Sequence, residues 1–280
     1  MSKESSLLSD LGTFYESIPF EYLLVGHCLL VASWFPKLKD RYLLSYWVGL
    51  LGAFGGGLIT AIILHVPIPL FSSNTLGITW TVCWWLANYS PGGVVAKFLT
   101  LAPVRIPAKA CLNTLRAGLI ASRVDLIWQM YPGVIAGPLV IGSIAGTGGR
   151  FAIDPVLGGF GALEGPAEIA QPAFAARSGF LGSLLYWLTV HHFQSLSPLE
   201  GKALIVSMFI LHGVLVDVFS WHFDFTHPLA YLAHTLTNVP MPGLDKQPRP
   251  TLPAKSGAAI SAADSSKKAG EGKHESKKAK

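Results

Sequence analysis

Seven mostly apolar stretches, at 20–35, 44–64, 76–96, 106–123, 132–153, 178–195 and 203–223, govern what this chain can fold into. The hydrocarbon core of a bilayer takes about 17–25 apolar residues per helix, and each stretch is near that length. The charge distribution supports the same reading. Residues 1–244 hold 12 Lys/Arg and 12 Asp/Glu, so the body is neutral and charge-poor, while residues 245–280 hold 9 basic against 4 acidic residues. Only 13% of the chain is charged and 51% is apolar, whereas soluble domains are about 25% charged. Such a body cannot be wetted all round. Disordered, collagenous and nucleic-acid-binding classes are excluded for it, and an all-α integral membrane protein of seven helices is expected.

The short loops give the orientation, because cytosolic loops carry an excess of Lys and Arg. With the Lys-rich C-terminus in the cytosol, the basic loop Pro36-Lys37-Leu38-Lys39-Asp40-Arg41 and the connection holding Lys97, Arg105 and Lys109 fall on the cytosolic side. The loop from His65 to Thr75, without Lys or Arg, falls opposite. The expected organisation is a non-cytosolic segment at 1–19, a seven-helix transmembrane domain at 20–228, and a cytosolic, Lys-rich, mostly disordered tail at 229–280. The acidic N-terminus lacks the basic and apolar regions of a cleaved signal peptide. Lys277 and Lys278, fourth and third from the end, resemble the dilysine retrieval signal of endoplasmic reticulum membrane proteins. Such a signal is an address rather than an anchor.

Gly55-Gly56-Gly57 lies in the second stretch and Gly146-Thr147-Gly148-Gly149 in the fifth. A glycine costs about 1 kcal/mol against alanine inside a helix, so the clusters do not serve helix stability. The expectation is that they kink or open their helices, exposing backbone that lines a cavity together with Ser143 and Thr147. Weakened helices at matching places in two halves point to an inverted repeat of helices 1–3 and 4–6, with the seventh added. A channel and a secondary transporter with a midplane site both fit that pattern, and close packing through small residues is the plain alternative.

Lys109, Arg116 and Arg123 recur every seven residues along the fourth stretch and share one face, as does Asn113. A charge near the bilayer centre is costly, so Arg116 should face water, an anion or a lipid headgroup, while Lys109 and Arg123 can snorkel. The stripe can serve gating or bind an anionic lipid. Asp217, in the seventh stretch, needs a partner, and Arg116 or a cavity could supply one. Cys28, Cys83 and Cys111 form no CxxC pair, and the histidines His191, His192, His212, His222, His227 and His234 match no ligand spacing, so no metal site is expected. No GxSxG, HExxH, Walker A or dinucleotide-binding pattern stands in its required context, so catalytic residues and an enzymatic cofactor are not expected.

From about Leu43 to Phe193 these motifs, in this order, resemble the trimeric intracellular cation channel family. Phe54-Gly55-Gly56-Gly57 followed by Pro67 and Pro69 is similar to its second span and the loop after it. Pro107-Ala108-Lys109 leading to Arg116 resembles the opening of its basic fourth span, and Gly142 to Gly149 the glycine-rich part of its fifth. The resemblance implies a homotrimer with one pore per subunit, lined by the second and fifth spans. It implies a monovalent cation channel of the endoplasmic reticulum, mainly for potassium with sodium also passing, that carries counter-ion current while calcium moves. It further implies a phosphoinositide headgroup bound by basic residues of the fourth span, of which Arg116 matches one. Ile120 stands where the family commonly has a second basic residue, and Ala145 where its animal members have Arg.

Overall fold

The computed structural model describes residues 6–219 and 224–237, and among them the regular structure is helical, with no strand. In chain order the α-helices are α1 (Leu7–Ser17), α2 (Phe20–Ala32), α3 (Tyr42–Ile63), α4 (Pro69–Ser72), α5 (Asn74–Tyr89), α6 (Val94–Thr100), α7 (Ala102–Met130), α8 (Ala136–Gly159), α9 (Phe174–Tyr186), α10 (Pro198–Phe219) and α11 (His227–Thr237). Lys277 and Lys278 lie outside the described residues.

Each apolar stretch holds a helix, with informative differences at the ends. The stretch at 76–96 divides into α5 and α6 across Pro91-Gly92-Gly93, where both glycines have φ +64°, a left-handed conformation that glycine adopts without steric cost. The helix of the fourth stretch, by contrast, starts ahead of it and is not broken at Pro103 or Pro107. Both prolines sit in the first two turns of α7, and the helix runs on to Met130. Near a helix start an N–H has no intrahelical acceptor to lose, so Pro103 costs little there.

Two helical features escape the apolar pattern. Helix α1 is capped by Ser6, whose Oγ accepts from the Ser9 N–H at 3.2 Å, and it packs on α10. Tyr15 meets Ser207 at 3.1 Å there, and Lys202 reaches Glu16 at 3.4 Å. Helix α9 passes into a π-helical segment, Trp187–His192. That segment is tied to α7 through Asp125, which accepts from the Tyr186 hydroxyl at 2.9 Å and pairs with His191 Nε2 at 2.8 Å.

The buried residues form three groups. Leu24, Cys28, Val31, Leu50, Trp80 and Cys83 join α2, α3 and α5; Ile120, Val124, Tyr186, Ile205 and Phe209 join α7, α9 and α10; Val48, Ile153 and Leu157 lie between α3 and α8. The α3–α8 contact is the most extensive between any two helices. Outward, α3 and α5 present Trp47, Ile62, Ile78, Val82 and Trp85, an apolar surface that water does not favour. Among the described residues α3 and α10 are each long and apolar enough to cross a bilayer.

Below α10, Asp224 receives the Thr226 N–H at 2.9 Å and pairs with Arg177. Burial pushes the Asp224 carboxyl up, but the bonds from Thr226 and Arg177 outweigh it and hold it below the usual carboxylate range.

Candidate functional site

The two glycine clusters meet. A methyl group built on Gly56 would lie 2.2 Å from the Ala145 carbonyl oxygen, one on Gly148 would lie 2.5 Å from Gly56 Cα, and one on Gly149 would lie 2.4 Å from the Gly52 carbonyl oxygen. The helices therefore cross backbone to backbone, an approach that glycine alone permits. The expectation that the glycines open their helices is corrected here. Helical structure is continuous from Tyr42 to Ile63 and from Ala136 to Gly159, because removing side chains makes room for a neighbouring helix without removing any backbone hydrogen bond.

A cavity of ≈ 340 Å³ lies against this crossing. Its walls come from α2 (Leu24, His27, Val31), α3 (Gly52, Gly56, Gly57), α7 (Leu112, Leu115, Arg116), α8 (Gly146, Thr147, Gly149, Arg150) and the start of α9 (Phe174, Ala175), with Ile68, Pro69 and Leu70 closing one side. Of the glycines and hydroxyls singled out in the sequence, Gly56, Gly57, Gly146, Thr147 and Gly149 line it. Gly55 and Gly148 serve the crossing, and Ser143 turns its hydroxyl back to the Leu139 carbonyl at 2.5 Å.

Arg116 reaches the cavity from α7 and is held on three sides. Its Nε donates to the Gly146 carbonyl at 2.7 Å, its Nη2 donates to the Ala175 carbonyl at 2.6 Å and to Ser178 Oγ at 2.9 Å, and its guanidinium lies 4.7 Å from the Phe209 ring centre. The planar fork of an arginine suits such a span between two helices, where a lysine would place one point charge. Thr147 shares the Ala175 carbonyl at 3.2 Å. The residues of the seven-residue stripe thus separate in space. Lys109 pairs with Asp217 at 2.8 Å, and Arg105 approaches the same carboxylate oxygen at 3.5 Å, so the partner of Asp217 is not Arg116. Arg123 Nε is buried with no hydrogen bond among the described residues.

Three groups of the site are not among the residues singled out for function by sequence. His27 lines the cavity and meets the Ala53 carbonyl through Nε2 at 3.0 Å. A carbonyl only accepts, so this nitrogen carries the proton. Arg150 lines the cavity too, one turn before Asp154 on α8, with Glu168 of the following loop beside both. A lone histidine and an i,i+4 charge pair carry no signal of a cavity until helices are packed. No group of His, Cys, Asp and Glu among the described residues is arranged to hold a metal ion.

The helix bundle and this site define a class: a protein helical throughout its described residues, whose two glycine-bearing helices cross beside a cavity lined in part by an arginine. The family model described as TRIC channel matches residues 37–221, and the chain belongs to that family. It is a family of membrane channels rather than enzymes, and the chain is a membrane protein. Among curated relatives, the trimeric intracellular cation channel type 1B.2 of Caenorhabditis elegans is 24% identical over 186 residues, covering 65% of this chain and 59% of that protein. The type B-A channel of Xenopus laevis is 23% identical over 170 residues, covering 60% of this chain and 59% of its own. The chain therefore matches about 59% of the length of these two relatives.

Solved structures agree on the fold. A trimeric intracellular cation channel from C. elegans in the absence of Ca2+ aligns with TM-score 0.66 at 20% identity, covering 77% of this chain and 98% of that one. A structure described under TRIC counter-ion channels in calcium release aligns with TM-score 0.68 at 17% identity, covering 76% and 99%.

Proposed function

We propose that this chain is a subunit of a homotrimeric cation channel in which each subunit carries its own pore, formed by the cavity at the α3–α8 crossing. The observation that carries this reading is the meeting of the two glycine clusters beside that cavity in a chain of the TRIC channel family. In this reading α2, α3, α5, α7, α8, α9 and α10 are seven spans, and the first three repeat the next three in inverted order. The contact of Gly56 with Gly148, equivalent motifs of the two halves, supports a pseudo-twofold axis at the crossing. The ions are monovalent, mainly potassium with sodium also passing, and the current balances charge during calcium movement across the endoplasmic reticulum membrane.

Arg116 is assigned to gating. Its Nε and Nη2 are occupied by protein groups, so a phosphate could claim them only by breaking three hydrogen bonds. Releasing Arg116 from the Gly146 carbonyl would uncouple α7 from the crossing and move a positive charge in the cavity. An anionic phosphoinositide headgroup fits better at Arg105 and Lys109, whose side chains are 36% and 34% exposed at the start of α7.

The test is reconstitution of the purified, assembled protein in planar bilayers under a potassium gradient. Unitary currents reversing toward the potassium equilibrium potential are expected. Folded, assembled protein that passes no cation current overturns the reading, and saturable solute uptake without unitary events selects the transporter instead.

A further inference from the structure

The charged residues lining the proposed pore are two arginines, Arg116 and Arg150, and among the described residues no carboxylate lines it. A cavity so lined should attract anions. Immediately behind Arg150, however, stand two carboxylates whose side chains are each 3% exposed. Arg150 Nη2 lies 3.4 Å from Asp154 Oδ1, and Arg150 Nε lies 3.8 Å from Glu168 Oε2. The carboxylates are fixed by backbone. Asp154 Oδ2 accepts the Glu168 N–H at 2.6 Å, and Glu168 Oε1 accepts the N–H groups of Ala173 and Ala176 at 2.9 and 3.2 Å, at the start of α9. Asp154 Oδ1 is buried without a hydrogen bond, and the cation paired with it is Arg150.

We propose that Asp154 and Glu168, standing behind Arg150, set the sign of the ion that the cavity passes. With Arg150 they form a group of net charge −1, and with Arg116 added the site is neutral instead of doubly positive. Loss of either carboxylate leaves a net positive charge in a low-dielectric wall, where field lines reach the cavity with little screening. The two residues touch no ion; they are positioning and charge-compensating groups, and the inference rests on the cation-channel reading given above.

Reversal potentials in asymmetric potassium chloride test this with reconstituted wild type and three variants: Glu168→Gln, which keeps the acceptor for Ala173 and Ala176, Arg150→Gln, and the double variant carrying both. Glu168→Gln is expected to lower the potassium-to-chloride permeability ratio by about fourfold to roughly three-hundredfold, since one unit charge taken at about 10 Å from the path acts with opposite sign on the two ions at effective dielectric constants between about 80 and 20. Arg150→Gln should raise the ratio, and the double variant, with its group again at −1, should return toward wild type. A purely structural role would cut current in all three, the double most, with the reversal potential unmoved. Cation currents in wild type with unshifted reversal potentials in whichever of the variants assemble overturn this inference and leave the channel reading standing. Absence of cation current in wild type removes the channel reading itself.

Discussion

At Gly56 a single added methyl group meets the Ala145 carbonyl oxygen at 2.2 Å, while at its neighbour Gly57 the nearest atom is Leu119 Cδ2 at 3.9 Å. Two residues that look alike in the triplet therefore have opposite prospects. Gly56→Ala can be accommodated only by separating α3 from α8, and is expected to destabilise by about 1–3 kcal/mol, the usual cost of overpacking. Gly57→Ala fits the space and gains up to about 1 kcal/mol of helix propensity. Thermal melting of the purified protein in detergent separates them: a lower midpoint for the first and an equal or higher one for the second. Equal losses at both positions would mean that the crossing is not the seat of the effect. That the glycines mattered was legible in the sequence, because glycine inside an apolar helix needs a reason. Which of them touch was not, since that depends on the rotation of α8 about its axis. Glu168 was invisible for a related cause. Its burial follows from the turn that aims the N–H groups of Ala173 and Ala176 at it, and in sequence it is one acidic residue in a Pro- and Ala-rich loop.

Among the elements, α7 shows how far a charge-bearing helix can sit within an apolar body. It carries Arg105, Lys109, Arg116, Arg123 and Asp125, and four of the five find acceptors or partners on other helices: Asp217 on α10 for the first two, Gly146 and Ala175 for Arg116, and Tyr186 and His191 for Asp125. The apolar stretches announced the helices because length and composition are local. The stripe of seven announced one shared face, and it failed to announce that Lys109 would turn to Asp217 and Arg116 to the Gly146 and Ala175 carbonyls, with the Arg123 Nε left without a hydrogen bond. The Asp217 pairing makes a test at this scale. Asp217→Asn leaves Lys109 and Arg105 facing a neutral amide, and since both are about one third exposed the expected loss is about 1–3 kcal/mol rather than that of a fully buried pair. In a cycle with Lys109→Met the double variant should lose less than the two singles summed, because the second change removes a group already deprived of its partner. Strict additivity in denaturation would show that the α7–α10 junction does not depend on this pair.

For the whole molecule the deciding question is whether ions pass through each subunit or between subunits. The cavity is lined by residues of α2, α3, α7, α8 and α9 of one chain, so a path through it would run within a subunit. Gly57 gives a way to plug it. The residue lines the cavity and has room at its Cβ, so Gly57→Phe places an aromatic ring in a space of ≈ 340 Å³ without forcing the crossing apart. The variant is expected to assemble and melt like wild type while losing conductance. Co-assembly of tagged wild-type and Gly57→Phe subunits then distinguishes the two routes. If every subunit conducts alone, unitary amplitude stays at the wild-type value and total current falls in proportion to the fraction of variant subunits. A shared central path would be narrowed by the first variant subunit to enter an assembly, so current would fall more steeply than that proportion and intermediate amplitudes would emerge. Full conductance from assemblies made only of Gly57→Phe would show that ions bypass the cavity altogether, because a filled space cannot carry a hydrated ion.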